Sequence, residues 1–306
     1  MKVGYFADGP WSHTTINMLN NHKEIEILFI IPRYETQDPI LRDWAKKLKI
    51  PFIVESNVNN VNFIKYLKNF NADLFISMSF NQILCTDILS IPSSGFINCH
   101  AGKLPFYRGR NPLNWALIND EKDFGITVHY IDEGIDTGNI IIQDVYKISN
   151  NDNYSTLLNK AIYYCALSMA KAINKLLDGN IKSISQDSID PVGSYFSKRV
   201  DGDENIDFNW SSREIFNFVR AISLPGPCAR CLINEQEYAI LKVKQIPDCD
   251  NYIAKEGEVV GVSKGGNLVK VSDGIIELSE IFKIDDQEKF IKLKPNFPIG
   301  TLLKKI

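Results

Sequence analysis

Short apolar runs alternate with amphipathic stretches from Met1 to His100, and that alternation leaves this chain little choice of fold. MKVGYFA, IEILFII, PFIVE, DLFISMS and GFINCH read as strands, while SHTTINMLNNH, DPILRDWAKKLKI and VNFIKYLKNFNA between them read as helices. Ser12 is placed to cap the first helix, and Pro39 falls in the first turn of the second. DLFISMS is apolar almost without interruption, the signature of a strand covered on both faces. Strands and helices in this order build a mostly parallel, twisted sheet with helices on both sides, an α/β domain of Rossmann-like type. Ligands on such sheets bind beyond the carboxyl ends of the strands.

The second half has a different rhythm. YSTLLNKAIYYCALSMAKAINKLLDG reads as one long amphipathic helix closed by Gly179. A polar stretch follows, SQDSIDPVGSYFSKRVDGDEN, and reads as a linker. SSREIFNFVRAIS is a helix capped by Ser211 or Ser212. EYAILKVKQI, GEVVGVS, LVKVSDG and IIELSEI are short strands punctuated by GG and DG turns, a small mostly-β module of barrel-like type. The expected boundaries are 1–185 for the α/β domain, 186–205 for the linker and 206–306 for the β module.

The chemistry concentrates between Asn98 and Asp136. Asn98 and His100 end the strand GFINCH at positions i and i+2, so an amide and an imidazole point to the same face. Asp136 sits in the glycine-flanked loop EGIDTG, after the alternating strand GITVHYI. Amide, imidazole and carboxylate are the groups needed to oppose an oxyanion, move a proton and orient the proton carrier. His13, His22 and His129 lack this context, and His129 on its alternating strand reads as structural. Cys99, between the two site residues, is expected to point away from them. Cys228 and Cys231 form a lone CxxC with no second pair at zinc-site spacing, so free thiols and no metal are expected.

Asn98-x-His100, the following LPFYRGRNP, and Asp136-Thr137-Gly138 together resemble the N10-formyltetrahydrofolate-dependent formyltransferases. IDFNWSSREIFNFVRAISLPGP and GEVVGVSKGGNLVKVSDGIIELSEI are similar to the second domain of the methionyl-tRNA and amino-arabinose enzymes. The resemblance implies that a primary amine attacks a formyl carbon. Asn98 and protonated His100 would hold the negative oxygen, at a cost on the order of 10²–10³ in rate if one donor is lost. His100, with an ordinary pKa of about 6.5, can move the proton, and Asp136 can orient it or relay through water. By the same resemblance Met78, Phe80, Ile83 and Leu84 would line a pterin pocket, closed on its other side by Asp132, Gly134 and Ile135.

The amine is narrowed by local sequence and charge. The turn ADGPWSH opens a helix, whose N-terminus favours anions, so Gly9, Trp11 and Ser12 are candidates for a substrate phosphate or base. Lys103, Arg108 and Arg110 could contact a pyrophosphate. HAGKLPFYRGRNPLNW is more similar to the nucleotide-sugar enzymes (amino-arabinose or dTDP-amino-sugar type) than to the tRNA enzymes. Net charge is −3, and residues 201–306 carry 14 Lys and Arg against 17 Asp and Glu, which argues against a nucleic-acid partner. No apolar run approaches the roughly 20 residues that span a bilayer, and MKVGYFADGP lacks a signal-peptide core, so a cytoplasmic protein is expected. The leading expectation is a sugar N-formyltransferase acting on a nucleotide-linked amino sugar for surface polysaccharide, as in lipopolysaccharide O-antigen. The alternatives are a methionyl-tRNA formyltransferase and, in another class, a folate or nucleotide-sugar binding protein without turnover. A homodimer is a candidate assembly, with the β module as its surface. Because every residue given chemistry precedes the linker, residues 1 to about 200 are expected to carry activity alone.

Overall fold

The computed structural model describes residues 1–179, 181–247, 249, 252–285 and 289–306. Its first sheet has six strands: β1 (Lys2–Ala7), β2 (Glu26–Ile31), β3 (Leu74–Met78), β4 (Phe96–His100), β6 (Asp123–Tyr130) and β7 (Ile140–Lys147). Their spatial order is β2-β1-β3-β4-β6-β7. β1 runs parallel to β2 and β3, and β3 is parallel to β4, while β6 joins β4 antiparallel. The chain reverses its direction of travel across the sheet at β1, between β2 and β3, and the turns after β1 and β3 therefore flank a switch point. PFIVE does not form a strand; only Phe52 bridges, to Ile30 of β2.

The helices start where short polar side chains can satisfy their first N–H groups. Asp38 caps α2 (Pro39–Leu48) and Asn60 caps α3 (Val61–Lys68). The first helix, α1, runs Gly9–Asn20 and begins earlier than expected, with Asp8 at its cap position. Ser12 is no cap: it is buried, and its hydroxyl donates to Gly9 O. The core under the sheet is aromatic. Phe6 lies 4.8 Å from Phe96 and 5.2 Å from Phe75, ring centre to ring centre. A Cβ at Gly4 would come within 2.3 Å of the Phe29 ring and 2.7 Å of Phe75, so the missing side chain makes room for this cluster.

The strand-rich module is antiparallel, in the order β11-β12-β13-β10-β9-β15 with β14 added on β13. These strands are β9 (Ala229–Ile233), β10 (Gln236–Gln245), β11 (Val259–Val262), β12 (Asn267–Val271), β13 (Gly274–Ile284), β14 (Phe290–Leu293) and β15 (Leu303–Lys304). A bridge between Glu258 and Leu302, just before β11 and β15, joins the two ends of that path, so the sheet closes on itself as a barrel. Ser211, rather than Ser212, caps α7 (Ser212–Ala221) in a capping box with Glu214.

The chain divides into two compact units whose boundaries differ from those expected. One holds residues 1–112, 124–146 and 159–196; the other holds 113–123, 147–158 and 197–306. Residues 186–196 are thus no linker. β8 (Tyr195–Phe196) pairs in parallel with β5 (Arg108–Gly109), and Tyr107 stacks on Phe196 at 5.0 Å. Residues 113–123 and 147–158 belong with α7 because Arg213 pairs with Asp120, Arg220 donates to Ser149 O and Asp152 O, and Asn114 donates to Ala221 O.

Candidate active site

β4 ends at the first unit's site, and its antiparallel pairing with β6 decides which side chains meet. Asn98 lies opposite His129, and His100 lies opposite Thr127. His100 is buried, and a Cβ at Gly102 would fall 2.5 Å from its Nε2, so glycine there leaves room for the ring. Its Nε2 lies 2.7 Å from Tyr107 O. A carbonyl only accepts, so that nitrogen carries the hydrogen. Nδ1 lies 3.5 Å from Asp136 Oδ2, which also accepts the Gly109 N–H at 2.9 Å.

Asp136 is shared between two imidazoles. His129 Nε2 lies 3.5 Å from Asp136 Oδ1 and 3.3 Å from Asn98 Nδ2, while its Nδ1 donates to Tyr130 O at 2.7 Å. When His129 is neutral, Nε2 accepts from the Asn98 amide and leaves that amide's second hydrogen for another acceptor; when the ring is protonated, Nε2 donates toward Asp136 Oδ1 instead. Burial of Asp136 opposes its charge. The His100 charge, the His129 hydrogen bond and charge, and the Gly109 N–H outweigh that, and hold the carboxyl well below the usual carboxylate range. The site therefore keeps a carboxylate, two imidazoles and an amide in one constellation. The residue that sequence reasoning set aside here is His129. Only the strand register reveals it, because spacing alone does not say which residue of GITVHYI faces Asn98.

The loop after β3 is tied down from two sides. Arg33 donates to Ser79 O at 2.6 Å and to Ser79 Oγ at 2.8 Å. Gln82 accepts from Val58 N and donates to Glu55 O, and Asn59 donates to Ile83 O. Met78 and Leu84 are buried in apolar core, and Phe80 packs edge-on against Phe6. Ile83, 76% exposed, is the apolar side chain of this loop at the surface. Asp132 Oδ1 accepts from Gly134 N and Thr137 Oγ1, shaping the loop that carries Ile135, also exposed. Thr86 donates to Glu133, so the segment after β3 and this second loop meet.

The expected anion site at the start of α1 is already filled. Gly9 N donates to Asp38 Oδ2 at 3.0 Å, and His13 Nε2 lies 2.8 Å from the same oxygen. Burial opposes the Asp38 charge, but Leu41 N–H, His13 and Gly9 N–H outweigh it and hold its pKa below the ordinary value. Asp8, at the helix cap position, is also buried and accepts from Thr36. The turn thus carries the chain's own carboxylates where a phosphate was expected, and Gly9 and Ser12 are engaged internally. Trp11 is half-buried. Arg108 is likewise internal: it is 4% exposed and donates to Gln186 Oε1, Tyr195 OH and Val192 O. Lys103 is half-buried and Arg110 exposed, so of the three expected phosphate contacts only these two reach the surface. No cluster of three or more His, Cys, Asp or Glu that could hold a metal occurs among the described residues. Cys99 turns away from the site, its thiol donating to Cys165 O at 3.6 Å.

Comparison with known proteins meets this geometry from outside. Residues 7–163 match the formyl transferase family and residues 200–292 the formyl transferase C-terminal domain. The chain is 38% identical over 198 residues to the bifunctional polymyxin resistance protein ArnA of Wigglesworthia glossinidia brevipalpis, covering 65% of this chain but only 30% of that longer protein. It is 33% identical over 250 residues to the methionyl-tRNA formyltransferase of Azobacteroides pseudotrichonymphae, covering 79% of this chain and 76% of the relative. Its fold is similar to that of an N-formyltransferase from Helicobacter canadensis in complex with folinic acid and dTDP-3-aminofucose (TM-score 0.70, 22% identity, 91% of this chain and 99% of that one). It is similar also to WlaRD, a sugar 3N-formyl transferase solved with dTDP and 5-N-formyl-THF (TM-score 0.69, 23% identity, 96% and 98%). With the formyl transferase family and its C-terminal domain matched in chain order, the chain belongs to the formyl transferase family.

Proposed function

We propose that this protein moves a formyl group from N10-formyltetrahydrofolate to the primary amine of a nucleotide-linked amino sugar, in the cytoplasm and for a surface polysaccharide. The observation that carries the transfer chemistry is Asp136 held between His100 and His129, with Asn98 alongside. The folate supplies an activated formyl group; the rest falls to the chain. Asp136, ionised at neutral pH, is an acceptor and not an acid, so the proton leaving the amine goes to the His100–Asp136 pair, which returns it to the folate N10 as the bond from N10 to the formyl carbon breaks. The remaining Asn98 N–H opposes the charge that builds on the formyl oxygen. His129 orients Asn98 and Asp136 together.

The residues around the loop after β3 fit a pterin. Asn81 Oδ1 is buried without a hydrogen-bond partner among the described residues, an acceptor suited to an amino or ring N–H. Phe80 and Ile83 from this loop and Ile135 from the loop after β6 offer apolar surface, and backbone groups of residues 78–84 can read the ring edge.

The sugar acceptor is supported by fold likeness to two sugar N-formyltransferases over nearly the whole of each chain, and by the excess of acidic residues in 201–306. Lys103, half-buried, and Arg110, exposed, are the cations offered to a diphosphate. One specific observation favours a second reading: a methionyl-tRNA formyltransferase among the relatives matches at 33% identity over 79% of this chain and 76% of its own length. The test is tetrahydrofolate release from N10-formyltetrahydrofolate with a dTDP-linked amino sugar and with the same sugar lacking its nucleotide. Turnover with the first and little with the second supports the reading. Equal use of the free sugar contradicts it.

A further inference from the structure

We propose that Gln186 is a positioning residue for Asp136, the central member of the proposed catalytic constellation on which this inference rests. Gln186 opens the short 3-10 turn Gln186–Ser188 and is 1% exposed. Its amide is used in full. Oε1 accepts from Arg108 Nε at 3.0 Å and Nη2 at 2.8 Å. Nε2 donates to Asp136 O and to Gly138 O, each at 2.8 Å. These partners also fix the amide's orientation, because a guanidinium only donates and a carbonyl only accepts.

The two halves of this amide hold the two things that define where the Asp136 carboxylate sits. The Nε2 half holds its backbone. Asp136 has φ of 55°, in the left-handed region that a side chain-bearing residue adopts at a cost, and Gln186 bonds the carbonyls on either side of the turn that follows. The Oε1 half holds Arg108, and both neighbours of Arg108 serve the site. Tyr107 O accepts from His100 Nε2, and Gly109 N donates to Asp136 Oδ2. One buried side chain therefore locks the carboxylate's own loop and the segment that grips both the carboxylate and its imidazole partner. Packing allows little slack, since a Cβ at Gly109 would lie 2.4 Å from Phe196 O.

Glutamine is the residue this position needs. Glutamate would pair with Arg108 but aim oxygen at two carbonyls, and methionine would satisfy none of the four groups. The titratable groups facing Asp136 are His100 from β4 and His129 from β6, so a carboxylate that drifts from them and from Gly109 N–H titrates higher.

The test compares wild type with Gln186→Glu and Gln186→Met in steady-state kinetics against pH. The probes are N10-formyltetrahydrofolate and dTDP-3-aminofucose, with methionyl-tRNA substituted if that is the acceptor the wild type uses. Expected for both variants is a kcat lowered about 10- to 100-fold, KM for either substrate within about twofold, and an acid limb of kcat/KM moved to higher pH. If Gln186→Met does not fold, Gln186→Glu, which keeps the Arg108 pairing, decides alone. Folded variants with wild-type kcat and an unmoved acid limb overturn the proposal, whatever their melting temperature. Asp136→Asn run alongside separates the two layers: full activity there refutes the catalytic reading itself, not the role of Gln186.

Discussion

At the scale of single residues, Asp136 is where structure and chemistry meet. Its two imidazole neighbours and the Gly109 N–H hold its pKa below that of an unfolded aspartate, about 3.9. A carboxyl lowered by folding stabilises the native state above that unfolded value, and the contribution fades as pH falls through the folded value. Asp136→Asn is therefore expected to lower kcat by at least about a hundredfold, and to destabilise the protein at pH 7 more than at pH 3. Chemical denaturation at the two pH values checks this, and a difference that does not shrink in acid contradicts it. That Asn98, His100 and Asp136 come together was legible in the sequence because a strand puts i and i+2 on one face and glycines mark the loop. The place of His129 beside them was not, since it comes from a cross-strand register. Arg108 misled for the opposite reason: a surface-seeking cation is here buried by a partner 78 residues away.

At the scale of elements, the alternation of strands and helices was plain in the pattern, yet what each turn holds was not. The start of α1 has the form of an anion site, but Asp38, far along the chain, supplies the anion. The polar stretch 186–196 has the composition of a linker, and becomes a brace only because β5 offers it an edge. Gly4 was equally silent. It sits inside β1 where phenyl rings of Phe29 and Phe75 fill the space of a side chain. Gly4→Ala is expected to cost roughly 1–3 kcal/mol, as overpacked cores do, with turnover of the folded fraction unchanged. Urea melts and activity per folded molecule check both parts; wild-type stability would mean the aromatic cluster yields more easily than its packing indicates.

At the scale of the whole molecule, the sequence suggested an autonomous first domain, and the division into units argues otherwise. Segments 113–123 and 147–158 are held by Arg213, Arg220 and the α7 backbone, all beyond residue 200. A chain ending at residue 200 leaves Asp120, Ser149 O and Asp152 O without these partners. It is expected to be less soluble and to melt lower than the full chain, as read by expression yield and thermal unfolding; a stable, active fragment contradicts the division. Which amine receives the formyl group is decided by letting two acceptors compete. Full-length protein is given N10-formyltetrahydrofolate labelled in the formyl carbon, with dTDP-3-aminofucose and methionyl-tRNA present together at equal concentration. His100→Asn serves as the chemical control. Label is expected in the sugar nucleotide, with little in the tRNA, and at least about a hundredfold less label from the variant. Label in methionyl-tRNA with none in the sugar contradicts this expectation.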